Sequence, residues 1–279
     1  MRLKFRFFLF FVFVFCSCTP KPNPEEKFGL YPQSYEKEFK KNFAKTFFIN
    51  LLDHDLSLAR REKMESSLLS DSLFKLTHFP GVYGKAISYE RKSPYPQEIT
   101  LPSGRKFEYL ASERPYHGKG LSPGELGNFI SHYLLWEKVS QDTNDEHIYF
   151  ITEDDVRPVE NFKKRLVSAL YHAPKDWELL FFYSNQNYGW GCGPGKLELT
   201  ESRRFLVLNK KCIPGTVFYA LRPPTARKFM KNAIPFSEGT DERINSEFII
   251  PGKMKIYATY PELVKTYVNE SSIIKDMGR

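Results

Sequence analysis

The sequence lacks the features of a repetitive, fibrous or membrane-embedded protein. It has four cysteines among 279 residues and no Cys-x-x-Cys pair, so a structural zinc site is not indicated. It has one long apolar run, near its N-terminus, which excludes a protein with several membrane spans. It has no internal repeat, and its 41% apolar and 27% charged residues exclude a disordered chain, collagen and a coiled coil.

A charge excess of one sign is also missing from most of the chain. The formal net charge is +8, but residues 1–45 hold nine Lys/Arg against four Asp/Glu, and the remaining residues hold 32 against 29. Proteins that coat nucleic acid carry a broad basic surface. We therefore expect no nucleic-acid partner. The 25 Phe and 16 Tyr are sufficient for a sizeable core.

The first 18 residues predict a targeting segment rather than part of the fold. Three basic residues among the first six precede an apolar run that ends at Cys16. This pattern suits a signal peptide, and the run is shorter than the about 20 apolar residues of a spanning helix. Three interpretations stay open: a cleaved signal, a lipoprotein signal ending at Cys18, and an uncleaved anchor over residues 1–18. Each makes the protein exported or membrane-associated, with the side of the membrane undecided.

Residues 19–45 predict a linker, and residues 46–279 predict one domain. The linker is rich in Pro, Lys and Glu, and its basic residues would face either solvent or anionic lipid. Cys192 and Cys212 flank a candidate hairpin. They would form a disulfide in an exported domain and remain thiols in a cytosolic one.

Apolar runs alternate with helical patterns along the domain, which predicts an α/β fold with a mostly parallel central sheet. A loop-rich insertion is expected at Tyr83–Gly120, where Pro and Gly are frequent. The predicted strands are Thr46–Leu51, Phe74–Val82, Ile148–Thr152, Trp177–Ser184, Thr216–Leu221 and Lys255–Thr259, with a hairpin in Lys196–Leu208. The predicted helices are Asp53–Ser70, Ser122–Ser140, a segment from Pro158 to about His172, and Pro223–Asn232.

Acidic residues follow two of the predicted strands, where ligands bind in such sheets. Asp53-His54-Asp55 follows the first strand, and we interpret Asp53 as a helix cap. Glu153-Asp154-Asp155 follows a buried strand, and its adjacent carboxylates repel one another. A divalent cation, Mn²⁺ or Mg²⁺, would compensate them, and strand alternation would put Glu153 and Asp155 on one side. The alternative is a solvated turn before the next helix.

The helix after Leu121 carries a polar stripe. Ser122 and Pro123 predict its start, with an N-cap and a first-turn proline. Four residues spaced three, four and four apart share one face of this helix. They are Glu125, Asn128, His132 and Trp136. The stripe is a candidate lining for a binding site, unless His132 and its neighbour Ser131 serve only in packing.

Four short motifs follow one another along residues 46–245. They are Ile49-Asn50-Leu51 with Arg60–Met64, Leu121–Gly127 with Ser131-His132 and Leu135-Trp136, Ile151–Val156, and Gly215-Thr216 with Tyr219 and Ala226. In this order they resemble glycosyltransferase family 25, the family of lipopolysaccharide, lipooligosaccharide and collagen galactosyltransferases. Asp241 stands where the family has an aspartate. Asn128 departs from the pattern, since a small residue or Cys is common there, and Ser237–Thr240 lacks the usual proline-rich lead-in.

The resemblance implies a GT-A, Rossmann-like fold that uses a nucleotide sugar, UDP-galactose or a relative. The hexose would pass to a glycolipid, lipopolysaccharide-type or other glycan acceptor. The metal would be held by Asp155 with Glu153 or Asp154 and would neutralise the leaving diphosphate. The implied donor-binding residues are Asn50, Leu51, Arg60, Arg61, Glu153 and Asp154. The alternative for both arginines is a surface helix on which they pair with glutamates.

The family's products imply inversion, which needs one general base to deprotonate the acceptor hydroxyl. Asp241 is the first candidate and Glu242 the second, while His132 would orient a sugar. Trp190 lies in a Tyr-Gly-Trp turn that offers an aromatic face for stacking, with a core tryptophan as the alternative. The implied sugar- and acceptor-lining residues are Glu125, Asn128, Ser131, Trp136 and Trp190.

Two other functions are considered. Nucleotide sugars are scarce in a periplasm, so an exported chain could instead be a lipid-anchored protein that binds glycans and has lost transferase activity. A metal-dependent phosphohydrolase is the third hypothesis, but with Asp53 interpreted as a helix cap the sequence offers no His-Asp cluster for a second metal.

Overall fold

A computed structural model describes residues 30–52, 55–66, 74, 76–114, 118–183, 198–200, 204–208 and 215–266. Within these ranges the chain forms a mixed α/β fold around an eight-stranded sheet, with helices on both faces. The helices are α1 (Gln33–Asn42), α2 (Asp55–Glu65), α3 (Pro123–Ser140), α4 (Phe162–His172), α5 (Pro223–Asn232) and α6 (Thr240–Ile244), which leads into a π-helical turn at Asn245–Ile249.

The strands of the described ranges belong to the central sheet or to three short ladders. They are β1 (Phe43–Asn50), β2 (Leu76–Pro80), β3 (Gln97–Thr100), β4 (Lys106–Tyr109), β5 (Glu113–Arg114), β6 (Gly118–Lys119), β7 (Ile148–Glu153), β8 (Val156–Pro158), β9 (Leu179–Phe181), β10 (Glu198–Leu199), β11 (Phe205–Val207), β12 (Phe218–Leu221), β13 (Ile256–Thr259) and β14 (Val264–Thr266).

The central sheet has the strand order β10-β11-β13-β9-β12-β7-β1-β2. Strands β2, β1 and β7 are parallel neighbours, and β9 and β13 form a second parallel pair. Strand β12 lies between β7 and β9 and is antiparallel to both. In the described ranges most strands of the sheet therefore share one direction, as the alternation of elements predicted, but β12 and β11 make its pairing mixed.

Both faces of the sheet are covered, which explains the nearly continuous apolar runs of its strands. Side chains alternate along β7, so Phe150 enters one core cluster and Ile151 enters the other. The first cluster includes Phe39 of α1 and Phe162 of α4. The second includes Trp136 of α3, together with residues of α5. Complete burial of a side chain as large as Phe contributes about 1.5–3 kcal/mol.

Two segments differ from their expected structure. Residues 33–45, expected as linker, form α1 and the start of β1, because Phe39 and Phe43 are buried among the core phenylalanines. The insertion at Tyr83–Gly120, expected as loop, contains the β3–β4 and β5–β6 ladders. Alternation of buried Phe107 and Tyr109 with exposed neighbours in β4 is the strand signal in this insertion.

Several local predictions are confirmed. Helix α3 begins after Ser122 and α5 begins at Pro223. The described part of the Lys196–Leu208 hairpin pairs β10 with β11 in antiparallel fashion. The targeting segment, Asp53, Trp190, Cys192 and Cys212 lie outside the described residues. No helix of the described ranges has the length and apolar character needed to cross a membrane.

Candidate functional site

Most of the predicted site residues that the structure describes lie near the edge of the sheet where β1 and β7 end. These strands are parallel, so Asn50 and Glu153 lie side by side at their carboxyl ends. Because β12 is antiparallel, its amino end reaches the same edge, and the backbone N–H of Glu153 donates to the carbonyl of Val217 over 2.9 Å. Residues distant in sequence are thereby brought together.

Helix α3 is fixed against this edge by its own N-terminal motif. Ser122 and Glu125 form a capping box, with the Ser122 N–H donating to Glu125 Oε2 over 2.8 Å. A Cβ at Gly127 would lie 2.3 Å from the carbonyl oxygen of Val82, so only glycine permits this approach. The Ser131 hydroxyl accepts from the Val82 N–H and donates to the Gly127 carbonyl. Glu125 and Ser131 thus hold the helix in place, and their predicted role in lining a sugar site stays a prediction.

Glu153 faces α3, where donors converge on its Oε1 atom. Asn128 Nδ2 and Thr216 Oγ1 each donate over 3.2 Å, and His132 Nε2 lies 3.5 Å away. Burial alone would raise the pKa of Glu153, but the contacts from His132, Asn128 and Thr216 outweigh it and lower the pKa. The carboxylate is therefore held ionised and oriented.

His132 lies behind Glu153, and its ring is fully buried. Its Nδ1 atom is 2.8 Å from the hydroxyl oxygen of Tyr219, to which Trp136 Nε1 donates over 2.9 Å. Burial raises the pKa of Tyr219 well above its usual value of 10.0. Two members of the polar stripe, His132 and Trp136, thus bind a residue of β12, and their roles toward a sugar stay predictions.

Asp154 faces α2, on the other side of the strand end. Asn50 Nδ2 donates to its Oδ2 over 2.7 Å, and Arg60 Nη1 donates to its Oδ1 over 3.1 Å. Burial raises the pKa of Asp154 against the opposing effects of Arg60 and Asn50. Arg61 instead pairs with Glu65 on the surface. Of the two adjacent arginines, only Arg60 is at the acidic cluster. Leu51 follows Asn50 and is partly exposed there.

Asp155 is the least compensated acid of the three. It is 9% exposed, and its Oδ1 atom has no hydrogen-bond partner in the part of the chain that the structure describes. Burial, followed by the charges of Glu153 and Asp154, raises its pKa to about 7. The strand ends at Glu153 and a turn follows, so the alternation expected to put Glu153 and Asp155 on one side does not extend to Asp155.

The donor set around Asp155 determines how a metal would fit. Across the described ranges no three His, Cys, Asp or Glu side chains form a group able to hold an ion. Mg²⁺ is often held by one or two carboxylates, with water and substrate phosphates completing its shell. The unpartnered Oδ1 of Asp155 suits such a ligand, whereas Asp154 is already bound by Asn50 and Arg60. The residues fit a cation that is shared with a phosphorylated ligand.

Asp241 reaches the same edge from α6. Its Oδ2 accepts from the Gly215 N–H over 3.1 Å and its Oδ1 from the Glu242 N–H over 3.0 Å. Burial, and then the Glu242 carboxylate, raises the pKa of Asp241. Glu242 itself accepts from the Gly239 N–H over 2.9 Å, as part of the turn that begins α6.

Two threonines of this network were not among the predicted site residues. Thr240 Oγ1 donates to Asn128 Oδ1 over 2.6 Å, so Asn128 connects α6 to Glu153. Thr216 precedes β12 and donates to Glu153 directly. Thr216 could have been predicted from its position just before a strand at the ligand-binding edge of the sheet. No sequence pattern around Thr240 indicates its contact with Asn128.

Known proteins resemble this chain over the same region. The model of "Glycosyltransferase family 25 (LPS biosynthesis protein)" matches residues 43–244. Procollagen galactosyltransferase 1-B of Xenopus laevis is 33% identical over 146 residues, 51% of this chain and 21% of the relative. A glycosyltransferase 25 family member of Drosophila melanogaster is 33% identical, and procollagen galactosyltransferase 2 of Homo sapiens 30% identical, each over 145 residues with the same coverage. The chain spans about a fifth of the length of these relatives.

Proposed function

Because the chain belongs to glycosyltransferase family 25, we propose that it moves a hexose, galactose first among candidates, from a nucleotide sugar to a glycan acceptor with the help of a divalent metal. The mixed sheet, with its acids at the carboxyl edge, supports a GT-A, Rossmann-like assignment. The observation that carries the proposal is Asp155, a buried carboxylate with an unpartnered oxygen at that edge.

The acidic turn would bind the diphosphate of the donor. A Mn²⁺ or Mg²⁺ ion held there would supply positive charge beside the leaving diphosphate. Asp155 would hold the ion, and Glu153, which its donors keep ionised, would add negative charge beside it. Arg60 stays paired with Asp154 and prevents the three carboxylates from facing one another without a counter-charge.

Asp241 would act as the general base of an inverting transfer. Two backbone N–H groups fix its carboxylate, and its raised pKa makes it a stronger base than an ordinary aspartate. Glu242 is the weaker candidate because its carboxylate is engaged by the Gly239 N–H. Asn50 and Leu51, at the end of β1, would lie near the nucleoside.

The acceptor is proposed from the family description and from the N-terminal sequence. The matching family carries the description "LPS biosynthesis protein", and the procollagen relatives act on another class of acceptor by their names. The apolar N-terminal run of this chain favours a lipid-linked glycan, with the N-terminus keeping the domain near the membrane.

The proposal is tested by calorimetric titration of the purified protein with UDP in the presence of Mn²⁺, followed by assay of UDP-galactose turnover. We expect wild-type protein to bind UDP only with the metal, and Asp155→Asn to lose both binding and turnover by at least tenfold. Asp176→Asn is the matched control, because Asp176 precedes β9 at the opposite edge of the sheet.

Asp155→Asn should also unfold at the same or higher urea concentration than wild type at pH 8, because it removes a desolvated charge. Activity loss with retained stability would therefore not reflect misfolding. Full turnover by Asp155→Asn would reject the metal role. Absence of UDP binding by wild type would favour the lipid-anchored glycan-binding alternative.

A further inference from the structure

We propose that Tyr219 is a positioning residue, which fixes the ring nitrogen of His132 that carries the proton and through it the orientation of Glu153. The supporting observation is a series of buried contacts that runs from Trp136 to Tyr219, from Tyr219 to His132, and from His132 to Glu153. Its consequence for turnover rests on the proposed function, but the protonation state of the ring is measurable without any substrate.

Trp136 determines which atom donates in each of the two hydrogen bonds of the Tyr219 hydroxyl. An indole nitrogen is a donor only, so Trp136 Nε1 donates to the Tyr219 oxygen over 2.9 Å. Tyr219 retains one proton, and burial raises its pKa, so the hydroxyl stays protonated. The nearest acceptor that the described residues provide is His132 Nδ1, 2.8 Å away.

The alternative arrangement leaves the buried Tyr219 proton unsatisfied and sets a lone pair against a carboxylate. If His132 Nδ1 carried the proton, the Tyr219 oxygen would accept twice and its own proton would have no acceptor among the described residues. A neutral ring of that tautomer would also turn a bare Nε2 lone pair toward Glu153 Oε1, 3.5 Å away. Donation from Tyr219 to Nδ1 gives the hydroxyl proton an acceptor and puts the ring proton on Nε2, where a positive N–H rather than a lone pair faces the carboxylate at 3.5 Å.

This tautomer completes a set of donors around one oxygen of Glu153. Asn128 approaches from α3 and Thr216 from the segment before β12, and His132 Nε2–H faces the same oxygen at 3.5 Å, an electrostatic contact longer than these two hydrogen bonds. All three contacts reach Oε1, so the carboxylate is held through one oxygen. Outer partners of this kind determine ligand orientation, and their loss costs about 10–100-fold in affinity or activity at metal sites.

The test is the tautomer of His132, read by long-range ¹H–¹⁵N NMR of the full chain with labelled histidine. The chain has six histidines, and His132→Gln identifies the signals of this one by their loss. We expect Nδ1 of wild-type His132 to carry no proton. A protonated Nδ1 in the wild-type protein would overturn the proposal, and this measurement needs no variant that might fail to fold.

Tyr219→Phe removes the hydroxyl that donates to the ring, so a fraction of the Nδ1–H form should appear beside the Nε2–H form, which the nearby Glu153 carboxylate still favours. Trp136→Phe is the matched control, because it removes the other partner of the same hydroxyl and should leave the Nε2–H form in place. An unchanged tautomer in Tyr219→Phe would overturn the proposal.

Turnover gives the second readout. Tyr219→Phe should lower kcat/KM about tenfold. His132→Gln, whose amide nitrogen can replace Nε2–H as a donor, should retain more activity than His132→Asn, which cannot reach Glu153. Equal loss in both would contradict an Nε2–H donor role. If wild type shows no turnover, the proposed function fails while the NMR result still decides the tautomer.

Discussion

Replacing Arg60 by Met should destabilise the protein far more than replacing Arg61 by Met. The Arg60 and Asp154 side chains are 4% and 13% exposed, whereas those of Arg61 and Glu65 are 36% and 49% exposed. Removing one partner of a buried pair costs about 3–5 kcal/mol, because the other charge is left unpaired. Asp154 keeps its bond from Asn50, so we expect about 2–3 kcal/mol for Arg60→Met. An exposed pair contributes about 0–1 kcal/mol.

The assay is urea unfolding at pH 7, followed by tryptophan fluorescence. With a slope of about 2–3 kcal/mol per molar urea, Arg60→Met should lower the midpoint by about 1 M and Arg61→Met by less than about 0.3 M. Adding Asp154→Asn to Arg60→Met should recover part of the loss, because it removes the unpaired charge. Equal midpoints for the two single variants would refute the assignment of Arg60 as the internal counter-ion.

Two further predictions concern other contacts. Asp142→Asn should cost about 1 kcal/mol at neutral pH, and the cost should shrink below about pH 4 in urea unfolding measured from pH 7 to 3. Burial would raise the pKa of Asp142, but hydrogen bonds from Tyr149, Asn144 and His147 outweigh it and lower the pKa to about 2. The stabilisation is therefore present above the pKa of Asp142 in the unfolded chain and is lost as Asp142 becomes protonated in the folded protein. A stability difference between wild type and Asp142→Asn that grows on acidification would contradict this. Asn128→Ala and Thr240→Val should couple by at least about 0.5 kcal/mol in a double-mutant cycle of kcat/KM, and strict additivity would show that their bond does not connect α6 to Glu153.

Local chemistry made α3 and the acidic turn predictable. The cap at Ser122 depends on residues within one turn, and the position of Glu153–Asp155 follows from a buried strand that must end at the edge of its sheet. The carboxylate network could be located for the same reason, although its internal pairing could not.

Contacts that depend on tertiary placement were not predictable. The rotation of α2 about its axis decides that Arg60 rather than Arg61 faces the acids. Both are arginines at adjacent positions, so the sequence does not show which of them points inward. Thr240 and Asn128 are 112 positions apart, with no pattern linking them. Tyr219 lies in an apolar run, where a hydroxyl that binds His132 is indistinguishable from a core tyrosine.

Strand β12 lies between β7 and β9 in the sheet but is synthesised after both, so the central sheet is completed late in translation. When translation has passed β9, the described strands of the central sheet that can pair are β2, β1 and β7, because both neighbours of β9, namely β12 and β13, are still to come. The nascent chain therefore carries an open, apolar strand border at β7 until residues 218–221 emerge. Chains terminated before that point should require chaperones to stay dispersed, and they lack Asp241, the proposed general base.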